Sequence, residues 1–435
     1  MMSDRRHFLQ KSVALTGAIA LPSLVSKDLL AECTMLQAKA ARTSVDMLTQ
    51  DEDFWWWVRQ QYTASATIIN LNNGGVAPQP KVVQDAHIRY YQMCNEAPSY
   101  YMWQILDQGR ESLRSKLADL AGCDADEVAI NRNSTEGLNT IIFGLNLKAG
   151  DEVVLTKYDY PNMINAWKQR EKREGIVLKW IDFELPQEID DYFVNKFSEA
   201  ITDRTKVVHI THMINWTGQI LPSKKIADLA HTRGCEVIVD GAHSFAHFKH
   251  TIPDTGADYY ATSLHKWLSS PFGSGLLYIK KEKIKDVWAL LSNDKPDGDN
   301  IRKFESLGTR SFASEMAIAQ SVDFFHVLGA ERKEARLRYL KNYWAEKLSK
   351  MTNVSLNTSM KDAFSCAIGN FSISGWKGPQ IAGKLMELKK VHSVGIEWEK
   401  VNGVRITPNV YSTLSELDQL IEGIEAVSKL TPPTP

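Results

Sequence analysis

Short, nearly continuous apolar segments alternate with helical patterns from about residue 120 onwards. Strands buried on both faces are predicted for six segments that lack polar alternation: EVVLT, VLKWIDF, KVVHIT, EVIVDG, YYATS and GLLYIK. Between two of them, SKKIADLAHTRG has apolar residues at helical spacing, with Ser223 as the predicted N-cap and Gly234 as the stop. This alternation predicts an α/β fold with a mostly parallel sheet, in which ligands bind beyond the strand ends.

Two further patterns divide the chain. DEDFWWWVRQQY predicts a helix near the N-terminus whose aromatic side chains pack on the main domain or on a partner subunit. After about residue 311, long helical patterns precede a mixed α+β end, which predicts a second, smaller domain. The expected organisation is a large domain over residues 52–310 and a small C-terminal α+β domain over residues 311–435.

Length and composition are those of an ordinary globular protein. The 435 residues are 43% hydrophobic and 24% charged, enough to bury a large core. The 51 Lys and Arg residues balance 52 Asp and Glu residues, so there is no global positive field to attract nucleic acid. No metal site is expected, because the five cysteines lack metal-binding spacing and are typical of core residues: Cys33, Cys94, Cys123, Cys235 and Cys366.

The N-terminal segment predicts export. SDRRHFLQKS places Arg5 and Arg6 before the short apolar stretch VALTGAIALPSLV, which is the arrangement of a cleaved signal and is too short for a membrane anchor. It resembles a twin-arginine signal, with cleavage expected near residues 38–41. Residues 1–41 are therefore predicted to be a signal peptide, and the mature protein to be periplasmic with no membrane anchor. The alternative is an amphipathic N-terminal helix.

Polar residues collect where the predicted strands end. Asp240 closes the strand in VDGAHS and His243 follows it, Asn215 follows the strand KVVHIT, and Lys266 follows YYATSL. A strand-end aspartate is also a common helix cap, and a loop lysine is most often merely solvated. Because the carboxyl ends of parallel strands meet at one edge of a sheet, we expect these side chains to lie close together.

A small-residue turn adds a candidate anion site. NRNSTEGLN places Ser134 and Thr135 at a predicted helix start, where free N–H groups and the helix dipole favour a phosphate. With Lys266 and Asp240, this turn supplies the three anchors of pyridoxal phosphate (PLP): a lysine for the aldehyde, a carboxylate for the ring nitrogen and a phosphate site. The lysine would form a Schiff base and move protons at a substrate α-carbon. The carboxylate would keep the ring nitrogen protonated, so that the ring accepts electrons.

Five motifs resemble the class V aminotransferase family of PLP enzymes: SLHKWLSSPFGSGLLYI, VDGAHS, THMINWTGQILP, NSTEGLN and FESLGTRS. INLNNGGVAPQPKVV and SLGTRS are most similar to the isopenicillin-N-epimerase-like subgroup. The resemblance covers residues 52 to 425. It implies the fold type I architecture of PLP-dependent transferases, with pyridoxal 5'-phosphate as cofactor and a homodimer with shared active sites.

The resemblance also implies roles for individual residues. The cofactor would be bound by Lys266 through the Schiff base, by Asp240 at the ring nitrogen, by Asn215 and His243 near the ring hydroxyl, by Ser134, Thr135, Ser263 and His265 at the phosphate, and by Thr309 from the neighbouring subunit. Tyr160 would place a catalytic ring over the cofactor face, where cysteine desulfurases carry a histidine. Ser263 and His265 would otherwise simply satisfy strand-end carbonyls. The substrate would be bound by Asn73, Arg310 and Arg405, with Arg405 gripping its α-carboxylate.

One departure from the desulfurases bears on the reaction. KLMELKKVHSVGIEWEKVNG, the segment that corresponds to their nucleophilic loop, contains no cysteine, and Cys366 lies too far upstream to match. The sequence therefore disfavours a protein persulfide and predicts epimerase or aminotransferase chemistry on an amino acid or an amino-acid-containing peptide. A lyase or a cysteine-desulfurase-like enzyme is the alternative. A non-catalytic cofactor-binding protein is the remaining alternative, although Lys266 and Asp240 are both present.

Overall fold

A computed structural model describes residues 43–433, and the predicted signal peptide lies outside the described residues. The α-helices are α1 (Val45–Thr49), α2 (Glu52–Gln60), α3 (Lys81–Glu96), α4 (Asp107–Ala121), α5 (Ser134–Gly144), α6 (Pro161–Glu174), α7 (Asp190–Ala200), α8 (Ser223–Thr232), α9 (Phe312–Met316), α10 (Ile318–Leu328), α11 (Ala330–Leu348), α12 (Gly378–Lys389) and α13 (Leu414–Ser428). The strands are β1 (Ile69–Asn70), β2 (Val128–Asn131), β3 (Glu152–Thr156), β4 (Val177–Ile181), β5 (Thr205–Thr211), β6 (Glu236–Asp240), β7 (Tyr259–Ser263), β8 (Gly275–Ile279), β9 (Val354–Leu356), β10 (Gly369–Ile373), β11 (Val391–His392), β12 (Val394–Trp398) and β13 (Val401–Ile406).

A seven-stranded sheet forms the centre of the unit that starts at Thr49, with strand order β2-β8-β7-β6-β5-β3-β4. Six of its strands run in the same direction, and β8, between β2 and β7, runs in the opposite direction. The predicted α/β fold with a mostly parallel sheet is confirmed. The carboxyl ends of β2, β3, β5, β6 and β7 consequently share one edge, and each leads into one of the polar segments singled out in the sequence.

Helices cover both faces of this sheet. Val153 and Leu155 of β3 pack on one side with Trp167 of α6, whereas Val154 points to the opposite side with Phe193 of α7. All five side chains are buried, and each contributes roughly 1.5–3 kcal/mol by leaving water. This double coverage explains why the strands are nearly continuous in apolar character.

A second, antiparallel sheet of four strands, β12-β13-β10-β9, lies towards the C-terminus. Its core includes Trp344 of α11, Leu385 of α12 and Leu420 of α13, together with Leu71, which follows β1. The predicted smaller α+β part of the chain is confirmed. Ile318 and Val322 of α10 pack instead in the core of the large sheet. The domain boundary at residue 310 therefore stays a prediction.

β4, predicted to be buried on both faces, is an edge strand with Val177 and Trp180 exposed. The helix signals were accurate with one exception. The helix predicted in DEDFWWWVRQQY is α2, capped by Asp51. Ser223 is not the N-cap of α8: Pro222 holds that position, and the Ser223 hydroxyl donates to the carbonyl of Thr255 at 3.0 Å. Gly234 does mark the turn after the helix, with φ of 71°. Within residues 43–433, no helix has the length and apolar character needed to cross a membrane.

Candidate active site

Lys266 lies in the turn after β7 and contacts a histidine from the turn after β6. Its Nζ is 3.1 Å from Nε2 of His243, and Nε1 of Trp267 donates to Nδ1 of the same ring at 3.4 Å. Burial lowers the pKa of Lys266 to about 8, although the nearby Asp240 carboxylate opposes this shift. Burial also holds the pKa of His243 well below its usual value. A neutral His243 that accepts at Nδ1 carries its proton on Nε2, which favours the neutral, nucleophilic amine of Lys266.

Asp240 ends β6 at the same edge. Its side chain is buried, and burial raises its pKa. The N–H of Ala242 donates to Oδ1 at 2.9 Å, whereas no described residue donates to Oδ2. The next residue must be glycine, because a Cβ on Gly241 would lie 1.9 Å from the ring of Tyr260. The strand therefore delivers a buried carboxylate with one oxygen available to a ligand.

The sequence analysis missed two buried residues near this carboxylate. His209 lies on the same face of β5 as Asp240 does on β6, and its charged form would lower the pKa of Asp240. Nδ1 of His209 accepts from Nε1 of Trp167 at 3.2 Å, which places the proton of the neutral ring on Nε2. Burial lowers the pKa of His209 to about 4. The sequence feature that could have revealed His209 is a histidine inside the apolar segment KVVHIT.

Asp159 is the second missed residue. Its buried carboxylate accepts from the backbone N–H and the hydroxyl of Thr156, both at 2.9 Å, and from the Thr211 hydroxyl at 2.7 Å. Burial raises its pKa to about 6. These bonds fix the turn after β3 and thereby the position of Tyr160, which is 40% exposed and begins α6 as its N-cap residue. Tyr160 is close enough to Arg405 to favour the charged guanidinium.

The predicted phosphate site is assembled from two strand ends. The backbone N–H of Ser134, the first residue of α5, donates to the hydroxyl of Ser263 at 2.9 Å, and the two hydroxyls lie 3.0 Å apart. Thr135 follows in the first turn of the helix. Nδ1 of His265 lies 3.0 Å from the carbonyl of Ser274 and donates to it, which leaves Nε2 for a ligand. The structure therefore brings Ser134, Thr135 and Ser263 together at a helix N-terminus.

Arg405 projects from β13 towards the same edge. Its Nη1 donates to the carbonyl of Asn215 at 3.2 Å and its Nη2 to Oδ1 of Asn72 at 2.9 Å. The guanidinium is buried, and desolvation lowers its pKa to about 10. No carboxylate of the described residues pairs with it, and its Nε and the Oδ1 of Asn215 are buried without partners there. A buried cation with free donors is suited to a ligand carboxylate.

Three of the predicted residues lie outside this constellation within the described chain. Asn73 is fully buried, and its amide group bonds to Asn70, Thr407 and Tyr411, so Asn72 rather than Asn73 contacts Arg405. Thr309 is exposed.

Arg310 is the third of these residues. It pairs with Asp107 at 2.9 Å and with Glu315 at 2.7 Å. The roles predicted for Asn73, Thr309 and Arg310 stay predictions.

The residues present fit PLP. Lys266 is a half-buried lysine with a lowered pKa, Asp240 keeps one carboxylate oxygen free, and Ser134 and Ser263 present hydroxyls at a helix N-terminus. Lys266 would hold the aldehyde carbon, Asp240 the ring nitrogen and the two serines the phosphate. The unpartnered Oδ1 of Asn215 is available to the ring hydroxyl.

Comparisons with known proteins agree with this site. The isopenicillin N epimerase of Streptomyces clavuligerus is 27% identical over 405 residues, covering 86% of this chain and 98% of that protein. A probable cysteine desulfurase of Synechocystis sp. is 24% identical over 385 residues, covering 82% and 90%. A solved structure of a C-DES mutant, with glycine covalently linked to its PLP cofactor, has a TM-score of 0.76 at 20% identity and covers 86% of this chain and 99% of that one.

The fold is thus that of fold type I PLP enzymes, and the cofactor is PLP. The sequence pattern described as Aminotransferase class-V matches residues 69–420, which is most of the chain. The protein belongs to the class V aminotransferase family of PLP-dependent enzymes.

Proposed function

We propose that this enzyme acts at the α-carbon of an amino acid, or of an amino-acid-containing peptide with a free α-carboxylate, by epimerisation or transamination. The observation that carries the proposal is Arg405, a buried guanidinium that has no carboxylate partner among the described residues. When bound, PLP supplies an aldehyde and an electron-accepting ring. The substrate supplies the missing carboxylate, which Arg405 and Asn72 orient at the edge of the sheet.

The chain's own residues account for proton movement. Lys266 has a pKa of about 8, so its amine accepts and returns a proton near neutral pH. His243 holds the amine by one hydrogen bond. Asp240 would hold the ring nitrogen of the cofactor and, as a carboxylate, would stabilise positive charge there. Tyr160 stands at the exposed side of the site, next to Arg405.

The region where desulfurases carry their nucleophile supports chemistry without a protein persulfide. Strands β12 and β13 pair up to Trp398 and Val401, so only Glu399 and Lys400 connect them. This turn contains no cysteine. Cys366 is fully buried, and burial raises the pKa of its thiol to about 12. A thiol in that environment is a poor nucleophile.

Elimination at the substrate side chain is the second candidate. The cysteine desulfurase relative supports it, and elimination would use the same Lys266 and Asp240. A third possibility is a non-catalytic protein that only keeps the cofactor. It would leave the cofactor absorbance unchanged when an amino donor is added.

We further propose a homodimer. Apolar side chains are exposed on α3 and on the π-helix Tyr100–Leu106 that follows it: Tyr91 is 62% exposed, Tyr100 55% and Ile105 40%. Exposed patches of this kind are typical of protein interfaces. Arg310 lies beside this surface, with its guanidinium 4.1 Å from the ring of Phe312. In such a dimer, Thr309 would reach the partner's cofactor phosphate.

Export of the folded enzyme to the periplasm is proposed from residues 1–41 alone. The pair Arg5 and Arg6 precedes a short apolar stretch, as in twin-arginine signals. That route suits an enzyme which acquires its cofactor before crossing the membrane.

Hydrogen exchange at the α-carbon tests the proposed reaction. Cofactor-loaded protein is incubated in D2O with L- and D-amino acids while NMR follows the α-proton signal. We expect loss of that signal, followed by either the other enantiomer or the oxo acid. Arg405→Lys is the matched variant, because it keeps the charge and loses the bidentate fork, so exchange should slow at low substrate concentration. Release of sulfide from cysteine, without exchange in other amino acids, would establish the elimination candidate instead.

A further inference from the structure

Lys333, on α11, is a buried lysine without an acidic partner among the described residues. It is 4% exposed, and its Nζ donates to the backbone carbonyl of Trp267. Its Nζ also lies 5.2 Å from the centroid of the Phe325 ring. Burial lowers its pKa to about 7. A buried ammonium served by one carbonyl and one ring is unfavourable on its own, which indicates a role beyond stability.

The residue that Lys333 contacts is the immediate neighbour of Lys266. Trp267 is fully buried and is held on three sides. Lys333 binds its carbonyl, and its indole stacks on the ring of His247 with centroids 3.6 Å apart. Its Nε1 donates to Nδ1 of His243, whose Nε2 lies 3.1 Å from Nζ of Lys266. An unbroken series of contacts therefore leads from α11 to the amine that carries the cofactor.

A second contact reaches the same place from the C-terminal half of the chain. The N–H of Ala367 donates to Nε2 of His247 at 2.9 Å, and Nδ1 of His247 donates to the carbonyl of His243 at 2.7 Å. Both nitrogens of His247 are thus used, which fixes the ring against Trp267. Lys333 therefore holds the turn that bears Lys266, through the carbonyl of Trp267. Ala367, which precedes β10, holds the segment after β6 that bears His243, through His247.

We propose that Lys333 is a positioning residue for Lys266: by holding the carbonyl of Trp267, it fixes the indole that orients His243 against the catalytic amine. Loss of the Lys333 amino group removes the hold on the Trp267 carbonyl. Protonation at Lys266 is then favoured, because His243 no longer donates steadily to the amine. The proposal concerns orientation at the cofactor lysine and does not depend on which amino acid is the substrate.

Lys333→Met tests the proposal, and Lys341→Met is the matched control. Lys341 lies on the same helix, is equally buried and donates to the Ser359 carbonyl at 3.2 Å and the Ser365 hydroxyl at 3.0 Å. Both proteins are loaded with PLP, and their visible absorbance and visible circular dichroism are followed against pH. We expect the apparent pKa of the absorbance change to rise by about one unit in Lys333→Met, with a changed dichroic signal. Lys341→Met should titrate as the unmodified protein does.

A folded Lys333→Met protein with an unchanged titration and dichroic signal would overturn the proposal. So would an equal shift in Lys341→Met, since it would mean that any loss of a buried lysine from α11 has this effect. If Lys333→Met does not fold, Trp267→Phe takes its place, because it keeps the carbonyl and the ring but removes the donor to His243. An unchanged pKa in Trp267→Phe would show that the indole transmits nothing to Lys266, which refutes the route.

Discussion

Replacing Arg405 by methionine should separate binding from stability. The guanidinium is buried, and desolvation lowers its pKa from 12.5 to about 10. At neutral pH the group is charged in both the folded and unfolded states, so the shift is unfavourable to folding by about 3 kcal/mol. The variant also loses two hydrogen bonds, to Asn215 and Asn72, each worth about 1 kcal/mol. The free energy of unfolding should therefore stay level or rise by about 1 kcal/mol.

Arg336→Met provides the contrast. Arg336 is fully buried as well, but it pairs with Glu52 at 2.6 Å and donates to the carbonyl of Thr49 at 3.0 Å. Because Glu52 is partly exposed, removing its partner should lower the free energy of unfolding by about 2 kcal/mol, below the range for a fully buried pair. Denaturant unfolding of both cofactor-loaded variants measures the difference.

The two variants should differ in amino-acid affinity in the opposite order to their difference in stability. Arg405→Met removes a charge-assisted pair with the substrate carboxylate, which should weaken amino-acid binding about 100-fold. Arg336→Met should leave binding unchanged. The absorbance of the bound cofactor, titrated with amino acid, gives both dissociation constants. Equal destabilisation of the two variants together with unchanged amino-acid affinity in Arg405→Met would refute the assignment of Arg405 as the carboxylate site.

Four further predictions concern the cofactor, export and assembly. Capture of PLP by the cofactor-free protein should accelerate as pH rises through about 8, since the neutral amine of Lys266 is the reacting form; an acceleration that continues to pH 10.5 would mean that the lysine is unperturbed. Asp240→Ala should still bind PLP but turn over about 100- to 1,000-fold more slowly, and near-normal turnover would contradict its role at the ring nitrogen. Arg5→Lys combined with Arg6→Lys should leave folded, coloured protein in the cytoplasm, whereas equal periplasmic yield would remove the twin-arginine interpretation. Inactive Lys266→Ala and Thr309→Asp chains should regain activity after subunit exchange, because one intact site forms in the mixed dimer; no recovery despite proven exchange would refute the shared site.

The sequence predicted what is local. Strands buried on both faces have a direct apolar signature, and the residues that follow strand ends in a parallel sheet must share an edge. Lys266, Asp240 and Ser134 end or follow three such strands and lie at the same edge of the sheet. The predicted N-cap of α8 was wrong because of a contact that is distant in the sequence. Ser223 has the right side chain for a cap, but its hydroxyl is taken by Thr255, which lies 32 residues further along the chain.

Contacts between residues far apart in the sequence had no pattern in the sequence that could predict them. Arg405 and Asn72 are separated by 333 residues and Lys333 and Trp267 by 66. Asn72 and Asn73 are adjacent and chemically identical, so only the register of β1 decides which of them faces Arg405. His209 resembles any core histidine in sequence; its relation to Asp240 follows from the pairing of β5 with β6.

The pairing of the buried arginines indicates where the protein binds an anion from solution. Within residues 43–433 five arginines are buried, and four of them pair with a glutamate of the same chain: Arg110 and Arg114 with Glu305, Arg170 with Glu174, and Arg336 with Glu52. Arg405 is the exception, and it lies at the edge of the sheet beside the cofactor residues. A guanidinium left unpaired there is unfavourable until an anion arrives. Because Asp240 would hold the ring nitrogen and the two serines the phosphate, we propose that the anion left for Arg405 is the carboxylate of the substrate.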